Sequence, residues 1–339
     1  MRIIRKPNFG ALIDAALERC SEPHFYKLAF DPSGRKYYRA VYHDLEEYTF
    51  ALEHQERVLS VIECDNASNM LGRFAFPIEP CFDPALTDEL RRAAISTICS
   101  ELRRLAVEHG LARIAVRATG TKNLGGMLLG YLLRHGAVPA LELRAVVGLS
   151  VPQAVLMADL RKGHRQQSRW GNANLSWSCV DSADPDYRRF ESYREFHAEI
   201  AGRVTRNTQS WATMYESICA GRGDLVLGYY DGKLVSGTLV LDGGDTAYYA
   251  SGVYRREMFD KPLGHAAVFL AILRAKQRGC YVFDLGEFPG AAASEKERAI
   301  GYFKQGFTTQ TAASVVLTLA MTKTAASTDG ATLGRSAGA

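Results

Sequence analysis

The sequence predicts an α/β (α+β) protein of two tandem domains, each a mixed, largely antiparallel sheet flanked by helices. Three observations lead to this prediction. The chain has 339 residues, which is long for one domain and ordinary for two. Apolar residues make up 47% and charged residues 23%, as in a globular protein with a sizeable core. A similar series of helices and strands also occurs twice, about 170 residues apart.

The first half contains strand-like segments and then a helix, a strand, a helix and a strand. Apolar and aromatic residues predict strands at 36–43, 47–54, 56–64 and 72–78. Residues 87–109 have the apolar spacing of an amphipathic helix, and Gly110 suits its C-terminal end. The last elements predicted for this half are a strand, a helix and a strand at 112–118, 122–135 and 140–149.

The second half repeats this order and adds a run of antiparallel strands. Asp231-Gly232 suits the tight turn of a hairpin between two of them. Helices are predicted at 151–170, 185–201, 208–220, 263–278 and 294–305. Strands are predicted at 174–180, 224–230, 233–241, 246–254, 281–287 and 313–321.

Two pairs of glycines indicate a duplicated domain. Gly110 and Gly279 each end a long helix before a strand, and Gly136 and Gly306 each stand before a closing strand. The members of each pair are about 170 residues apart. We therefore predict an N-terminal domain at 1–149, expected to be degenerate, and a catalytic domain at 150–321. Residues 322–339 lack apolar periodicity and are predicted to form a disordered tail.

The bulk properties argue against several classes of protein. The net charge of +4 is too small to indicate a general DNA-binding protein. No apolar run is long enough for a membrane span, and no secretory signal is evident. The seven cysteines form no C-x-x-C pair, which argues against a zinc site and a disulfide framework. We expect a cytoplasmic protein with no permanently bound cofactor or metal.

Residues 254–266, between a predicted strand and a predicted helix, are a candidate donor-binding loop. Gly264 allows close backbone approach. A helix N-terminus offers N–H groups and a partial positive charge to a phosphate, and nearby cations add full charges. The alternative is a plain loop that leads into a helix. The predicted donor-binding residues are Arg255, Arg256, Lys261, Gly264, His265 and Ala266.

Asp284, Glu287 and Lys304 are candidate catalytic residues. The carboxylates stand at the end of a predicted strand, where an open α/β sheet borders its cleft. Because an amine nucleophile must lose a proton, either carboxylate can accept it directly or through water. Lys304 is expected to face the same strand ends, where a cation stabilises an oxyanion. The alternatives are that Asp284 caps a turn, that Glu287 is solvated and that Lys304 satisfies helix carbonyls.

Two further basic segments are candidates for binding anions. Arg203 and Arg206 share a loop and suit a carboxylate or phosphate of the acceptor, although they could also be surface arginines. Residues 161–170 are the densest basic stretch, which suits an RNA or nucleotide phosphate or is simply a solvated helix face. The predicted acceptor-binding residues are His197, Arg203, Arg206 and Tyr249.

The second half resembles the FemAB-like proteins, also known as BioF2-like acetyltransferases, of the GNAT superfamily. The segment Leu160-Arg-Lys-Gly-His-Arg165 is similar to a basic motif of that family. Phe283-Asp-Leu-Gly286 and Phe303-Lys-Gln-Gly-Phe307 are similar to its later landmarks. Lys261-Pro-Leu-Gly-His-Ala266 resembles the pyrophosphate loop of the superfamily. The resemblance covers about residues 145–320.

This resemblance implies a tandem pair of GNAT-like domains and transfer of an acyl or aminoacyl group to an amine. Family members transfer amino acids from aminoacyl-tRNA to peptidoglycan precursors or act on related acceptors. The lysine of their F-K-x-G-F segment is considered important for catalysis or folding, a role that falls on Lys304. The charged helical arms of cell-wall members have no counterpart here, and the pyrophosphate-like loop keeps acyl-CoA open as the donor.

The sequence therefore predicts a GNAT-superfamily N-acyltransferase. Its donor is acyl-CoA or aminoacyl-tRNA, which makes tRNA a candidate partner. Its acceptor is an amine on a cell-envelope precursor, a nucleotide sugar or a peptide. The alternative is a non-catalytic binding protein that keeps a duplicated GNAT-like fold.

Overall fold

The computed structural model describes residues 1–5, 28, 32–42, 44–118, 124–290 and 293–321. The predicted tail at 322–339 lies outside these residues. In the first half, the helices are α1 (Pro32–Val41), α2 (Asp88–Glu108) and α3 (Leu124–Arg134). The strands are β1 (Arg2–Arg5), β2 (Phe50–His54), β3 (Arg57–Ile62), β4 (Met70–Leu71), β5 (Cys81–Phe82), β6 (Arg113–Ala118) and β7 (Val138–Gly148).

The second half follows the predicted order with small changes at the ends of elements. Its helices are α4 (Gln153–Asp159), α5 (Lys162–Asn174), α6 (Tyr187–Ala201), α7 (Thr208–Cys219), α8 (Leu263–Gln277) and α9 (Glu295–Gln305). Its strands are β8 (Ser176–Val180), β9 (Gly223–Tyr230), β10 (Lys233–Gly243), β11 (Thr246–Tyr254), β12 (Val282–Glu287) and β13 (Gln310–Ala320).

Three of the predicted elements are wrong. The strand predicted at 36–43 is helical, and Tyr38 of α1 stacks on Phe74 with ring centroids 5.3 Å apart. No strand covers 72–78, where Phe74 has a positive φ and breaks the extended backbone. The helix predicted at 151–170 is two helices, because Leu160 is extended (φ −59°, ψ 140°) and buried between α4 and α5.

The two halves share one sheet. The order of its nine strands is β4-β6-β13-β7-β12-β11-β10-β9-β8, and a second sheet has the order β1-β2-β3-β5. Strand β7 belongs to the first half but pairs with β12 of the second. Strand β13 belongs to the second half but pairs with β6 of the first. We call β7 and β13, which also pair with each other, the exchanged strands.

The exchanged strands contribute side chains to the core of the opposite half. Leu317 and Leu319 of β13 pack among the apolar residues of α2 and β6. Ala145 and Val147 of β7 pack with the apolar face of α8. A third core, formed by α6 and α7, covers the other face of β9, β10 and β11. The mixed α/β fold class is thus confirmed, while the domain boundary at residue 149 stays a prediction.

Two further properties bear on the sequence-based expectations. Over the part of the chain that the structure describes, no helix combines the length and apolar character required to cross a bilayer. Cys64, Cys99, Cys179, Cys219 and Cys280 are free. Cys81 is disulfide-bonded, which the scattered cysteine pattern did not predict.

We predict that Leu317→Ala loosens the first half of the chain although Leu317 lies near the end of the second. Leu317 is fully buried, and truncation of such a leucine costs about 2–5 kcal/mol of unfolding free energy. Hydrogen exchange measured by mass spectrometry should therefore accelerate in α2. Thr318→Ala, on the opposite face of β13, is the control. Unchanged exchange in α2 of the Leu317 variant would contradict the exchanged-strand packing.

Candidate functional site

The site begins where β11 and β12 separate. Their parallel pairing covers only Thr246–Tyr248 against Val282–Asp284. Beyond Tyr248, β11 pairs only with β10, and a register shift leaves Ala250 as an extra residue in β11. Such a β-bulge bends its strand. The two strands therefore diverge, and we call the opening between them the splay.

Helix α8 starts on the β11 side of the splay. It begins at Leu263 after Pro262, and no side chain caps it. The first-turn N–H groups of a helix have no partner within the helix, and its N-terminus carries a partial positive charge. Gly264 lies against the Tyr254 ring, since a Cβ built on it would be 2.9 Å from the ring carbon Cζ. The missing side chain thus allows this turn to pack directly on the end of β11.

The predicted donor-binding residues do not all gather at this turn. Gly264, His265 and Ala266 form it. The ammonium of Lys261, just before it, is 2.8 Å from Asp260. The Arg255 guanidinium lies over Phe196 of α6, on the sheet face opposite α8. It binds Glu199 at 2.9 Å and Glu257 at 3.0 Å, and Arg256 is exposed.

Lys304 lies at the β12 side of the splay. Its ammonium donates to the backbone oxygen of Glu287 at 3.2 Å. A Cβ built on Gly286 would be 2.9 Å from Nζ, so a side chain at this position would displace the ammonium. Burial, followed by the Arg144 guanidinium, lowers the pKa of Lys304 below its ordinary value, against the opposite effect of Asp284 and Glu287. The end of β12 therefore presents a partly desolvated cation.

The two predicted carboxylates differ in their freedom to react. Asp284 is buried, and its oxygens accept from Arg144 Nε and from the Gly286 N–H, both at 2.7 Å. Glu287 accepts from Arg144 Nη1 at 3.1 Å, and its side chain is 53% exposed. Glu287 therefore has lone pairs that an incoming group can reach, whereas Asp284 anchors the end of the strand.

A pair of histidines connects the two sides. The rings of His164 and His265 meet edge to face at 4.5 Å, and His265 also contacts Phe303 at 5.0 Å. A His164 ring nitrogen is 2.9 Å from the Phe303 carbonyl oxygen. Burial, followed by electrostatic repulsion from His164 when both rings are protonated, lowers the pKa of His265 to about 4. The first turn of α8 and the helix that carries Lys304 are thus joined by packed, neutral rings.

The basic stretch at 161–170 contributes to this packing. The Arg161 guanidinium stacks on Tyr302 at 3.8 Å, and Arg165 donates to the Ala158 carbonyl at 2.6 Å. Lys162 and Arg169 are exposed. This stretch was expected to be a phosphate-binding or solvated face, so the role of His164 in the packing was not predicted. The one sequence feature that pointed to His164 was its position within the FemAB-like basic motif at 160–165.

A cavity of about 550 Å³ lies on the face of the sheet that is covered by α6, opposite to α8. The Arg206 guanidinium is 3.4 Å from a His197 ring nitrogen and donates to the Tyr37 hydroxyl at 3.2 Å and the Ala250 carbonyl at 3.5 Å. Burial, followed by Arg206, lowers the pKa of His197. The cavity is lined by Tyr37, Val41, His197, Thr205, Arg206 and Asn207.

Two predicted acceptor-binding residues do not line this cavity. Arg203 is exposed and outside its lining. Tyr249 packs with the α8 core, where its hydroxyl is 2.9 Å from that of Tyr254. Tyr37 and Arg144 are site residues that the sequence analysis missed. Both come from the first half, and no local motif marks them.

We predict that Gly286→Ala destabilises the protein. Gly286 has φ +95°, which strains any other residue by about 1–3 kcal/mol, and the added Cβ would press on the Lys304 ammonium. Urea unfolding should show a lower free energy of unfolding. Gly290→Ala is the matched control, because nothing lies within 4 Å of its built Cβ. Equal effects of the two substitutions would refute this account of Gly286.

Comparison with known proteins gives one family match and several structural matches. Residues 156–297 match the family described as acetyltransferase (GNAT) domain. The crystal structure of FemX superposes with a TM-score of 0.59 at 12% identity, over 94% of this chain and 97% of that one. A tandem GNAT protein from the clavulanic acid biosynthesis pathway gives 0.52 at 16% identity, over 81% and 83%.

A third solved structure is the C-terminal domain of a putative lysylphosphatidylglycerol synthetase from Agrobacterium fabrum. Its TM-score is 0.50 at 13% identity, over 90% of this chain and 92% of that one. No curated protein matches the sequence significantly. At these identities the superpositions establish the fold alone. Residues 156–297 thus match a GNAT acetyltransferase domain, and the resemblance predicted from the sequence is confirmed.

Proposed function

We propose that this protein is an N-acyltransferase that transfers an acyl or aminoacyl group to an amine. The amine nitrogen attacks the activated carbonyl carbon, the bond to the donor sulfur or oxygen breaks, and the amine proton passes to a base. The observation that carries the proposal is the splay. It has the uncapped N-terminus of α8 on one side and the Lys304 ammonium on the other.

Phosphates of the donor bind at the first turn of α8. The N–H groups that begin the helix and its partial positive charge favour an anion, and no side chain caps this end. Lys261 precedes this turn and adds a full positive charge. Acyl-CoA and aminoacyl-tRNA both carry phosphates, so this chemistry suits either donor.

Lys304 stabilises the negative charge that develops on the carbonyl oxygen or on the leaving group. A cation in a partly desolvated position does this better than one in water. Glu287 accepts the amine proton, directly or through water, because its carboxylate is exposed and close enough to Lys304 to raise the pKa of that lysine, while its backbone oxygen accepts from the Lys304 ammonium. Asp284 has both oxygens engaged and serves to hold Arg144.

The acceptor binds in the cavity beneath the bulge in β11. Arg206 and His197 suit a carboxylate or phosphate on the acceptor, and the Ala250 carbonyl brings the cavity to the start of the splay. A cell-envelope precursor, a nucleotide sugar or a peptide can each carry such a carboxylate or phosphate together with an amine. A non-catalytic binding protein is the rival, and it predicts no turnover with any donor.

We expect Lys304→Met to lower kcat by roughly 10²–10³-fold, the usual effect of removing one oxyanion-stabilising donor. Amide formation with acetyl-CoA or charged tRNA would be followed by mass spectrometry. Lys296→Met is the control, since Lys296 is an exposed lysine on the same helix. Full activity in a folded Lys304→Met variant would eliminate the assigned role.

Acetyl-CoA should raise the melting temperature of the protein if acyl-CoA is the donor. A ligand at a hundredfold excess over its dissociation constant adds about 2.7 kcal/mol to the unfolding free energy. Lys261→Met should weaken this shift, and Lys296→Met should not. A shift with aminoacyl-tRNA alone would assign the other donor. No shift with either, together with no turnover, would favour the binding-protein alternative.

A further inference from the structure

Arg144 of β7 reaches from the first half into the site of the second. In the antiparallel pairing of β7 and β12, Arg144 lies opposite Glu287. Its Nε donates to Asp284 at 2.7 Å and its Nη1 donates to Glu287 at 3.1 Å. One guanidinium thus engages both carboxylates at the end of β12, and it is supplied by an exchanged strand.

We propose that Arg144 is the positioning residue through which the N-terminal half completes the active site, by fixing the Glu287 carboxylate beside Lys304. The inference rests on the proposed function, which assigns Glu287 and Lys304 their roles. It assigns the first half a part in catalysis, in contrast to the expectation of a merely degenerate copy.

The anchor of Arg144 is rigid because it is buried. The side chains of Arg144 and Asp284 are only 8% and 4% exposed, so their ion pair is shielded from water. Glu142 lies 3.8 Å from the Arg144 guanidinium, and Arg117 binds Glu79 at 2.8 Å further along the network. Removing one partner of a buried pair leaves an uncompensated charge. The buried pair of Arg144 and Asp284 therefore holds the guanidinium in place, and the guanidinium orients the exposed Glu287 carboxylate.

An arginine is required for this geometry. The planar guanidinium presents Nε to one carboxylate and Nη1 to the other in a fixed arrangement. A lysine places a single point charge on a flexible stem and cannot reproduce that fork. The expected consequence is that Arg144→Lys keeps the charge but releases Glu287.

Arg144 also acts on Lys304 through its charge. The groups that bear on the Lys304 ammonium are Arg144 from β7, which lowers its pKa, and Asp284 and Glu287 from β12, which raise it. When Arg144 is removed, the effect of the two carboxylates on the Lys304 pKa is no longer offset by the guanidinium. The Lys304 pKa should then rise, and its neutral, reactive form should appear only at higher pH.

The test measures the reactivity of Lys304 in the full-length protein and needs no substrate. Wild type, Arg144→Met and Arg144→Lys are treated with acetic anhydride across a pH series, and acetylation of Lys304 is quantified by peptide mass spectrometry. We expect the half-labelling pH to be higher in Arg144→Met than in the wild type, so that acetylation at a fixed pH is slower, because a neighbouring positive charge no longer favours the neutral amine. In Arg144→Lys it should stay near the wild-type value. Arg144→Gln replaces the methionine variant if that variant does not fold.

Arg278→Met is the matched control. Arg278 also bridges two carboxylates, Asp242 at 2.7 Å and Asp224, but at the C-terminal end of α8. The Arg278→Met substitution should lower the free energy of unfolding without changing the pH dependence of Lys304 acetylation. An unchanged profile in the neutral Arg144 variants, or an equal shift in Arg278→Met, would overturn the inference.

Kinetics separate this inference from the proposed function. With the donor that supports turnover, Arg144→Lys should lower kcat at least roughly tenfold and leave the KM for the donor within about twofold, because donor binding lies at α8. Unchanged kcat in Arg144→Lys would overturn the positioning role. Absence of turnover in the wild type would refute the proposed function, and the labelling profiles would still decide whether Arg144 controls Lys304.

Discussion

Strand β7 pairs with β12 on one edge and with β13 on the other, and the register of these two ladders governs the site. Alternate residues of a strand face opposite sides of a sheet, so a slip of one residue would move Arg144 away from both carboxylates. The register is fixed by apolar burial. Ala145 and Val147 face the core under α8, while Leu317 of β13 fills the core of the first half. Packing of the shared sheet thus determines which charges meet.

Departures from regular geometry then open the site. An unbroken parallel pairing of β11 with β12 would leave no space for a donor, and the extra residue Ala250 coincides with the end of that pairing. Gly286 lets the Lys304 ammonium approach the end of β12, and Gly264 lets the first turn of α8 rest on Tyr254. Each is a local feature with an unfavourable effect in a regular strand or helix. Their concentration at one end of the sheet accords with a functional role.

The sequence predicted most of the elements and those parts of the site that lie on local motifs. The glycines at helix ends, the acidic end of β12 and Lys304 are all readable over short stretches. Arg144 was missed because its partners are 140 and 143 residues away and its own strand looks ordinary. Arg255 was misleading for another reason: it adjoins the predicted loop, yet its side chain lies on the sheet face of α6. Nearness in the sequence does not place two side chains on the same face of a sheet.

The balance of charge around Lys304 bears on the proposed reaction. Arg144 and Lys304 face Asp284 and Glu287, so these four groups carry no net charge when all are ionised. Such a set can be partly buried because every charge has an opposite neighbour. When Glu287 takes the amine proton, the set acquires one positive charge as the carbonyl oxygen or leaving group becomes negative. Proton transfer to Glu287 therefore strengthens the electrostatic stabilisation that Lys304 provides, and the two roles reinforce each other.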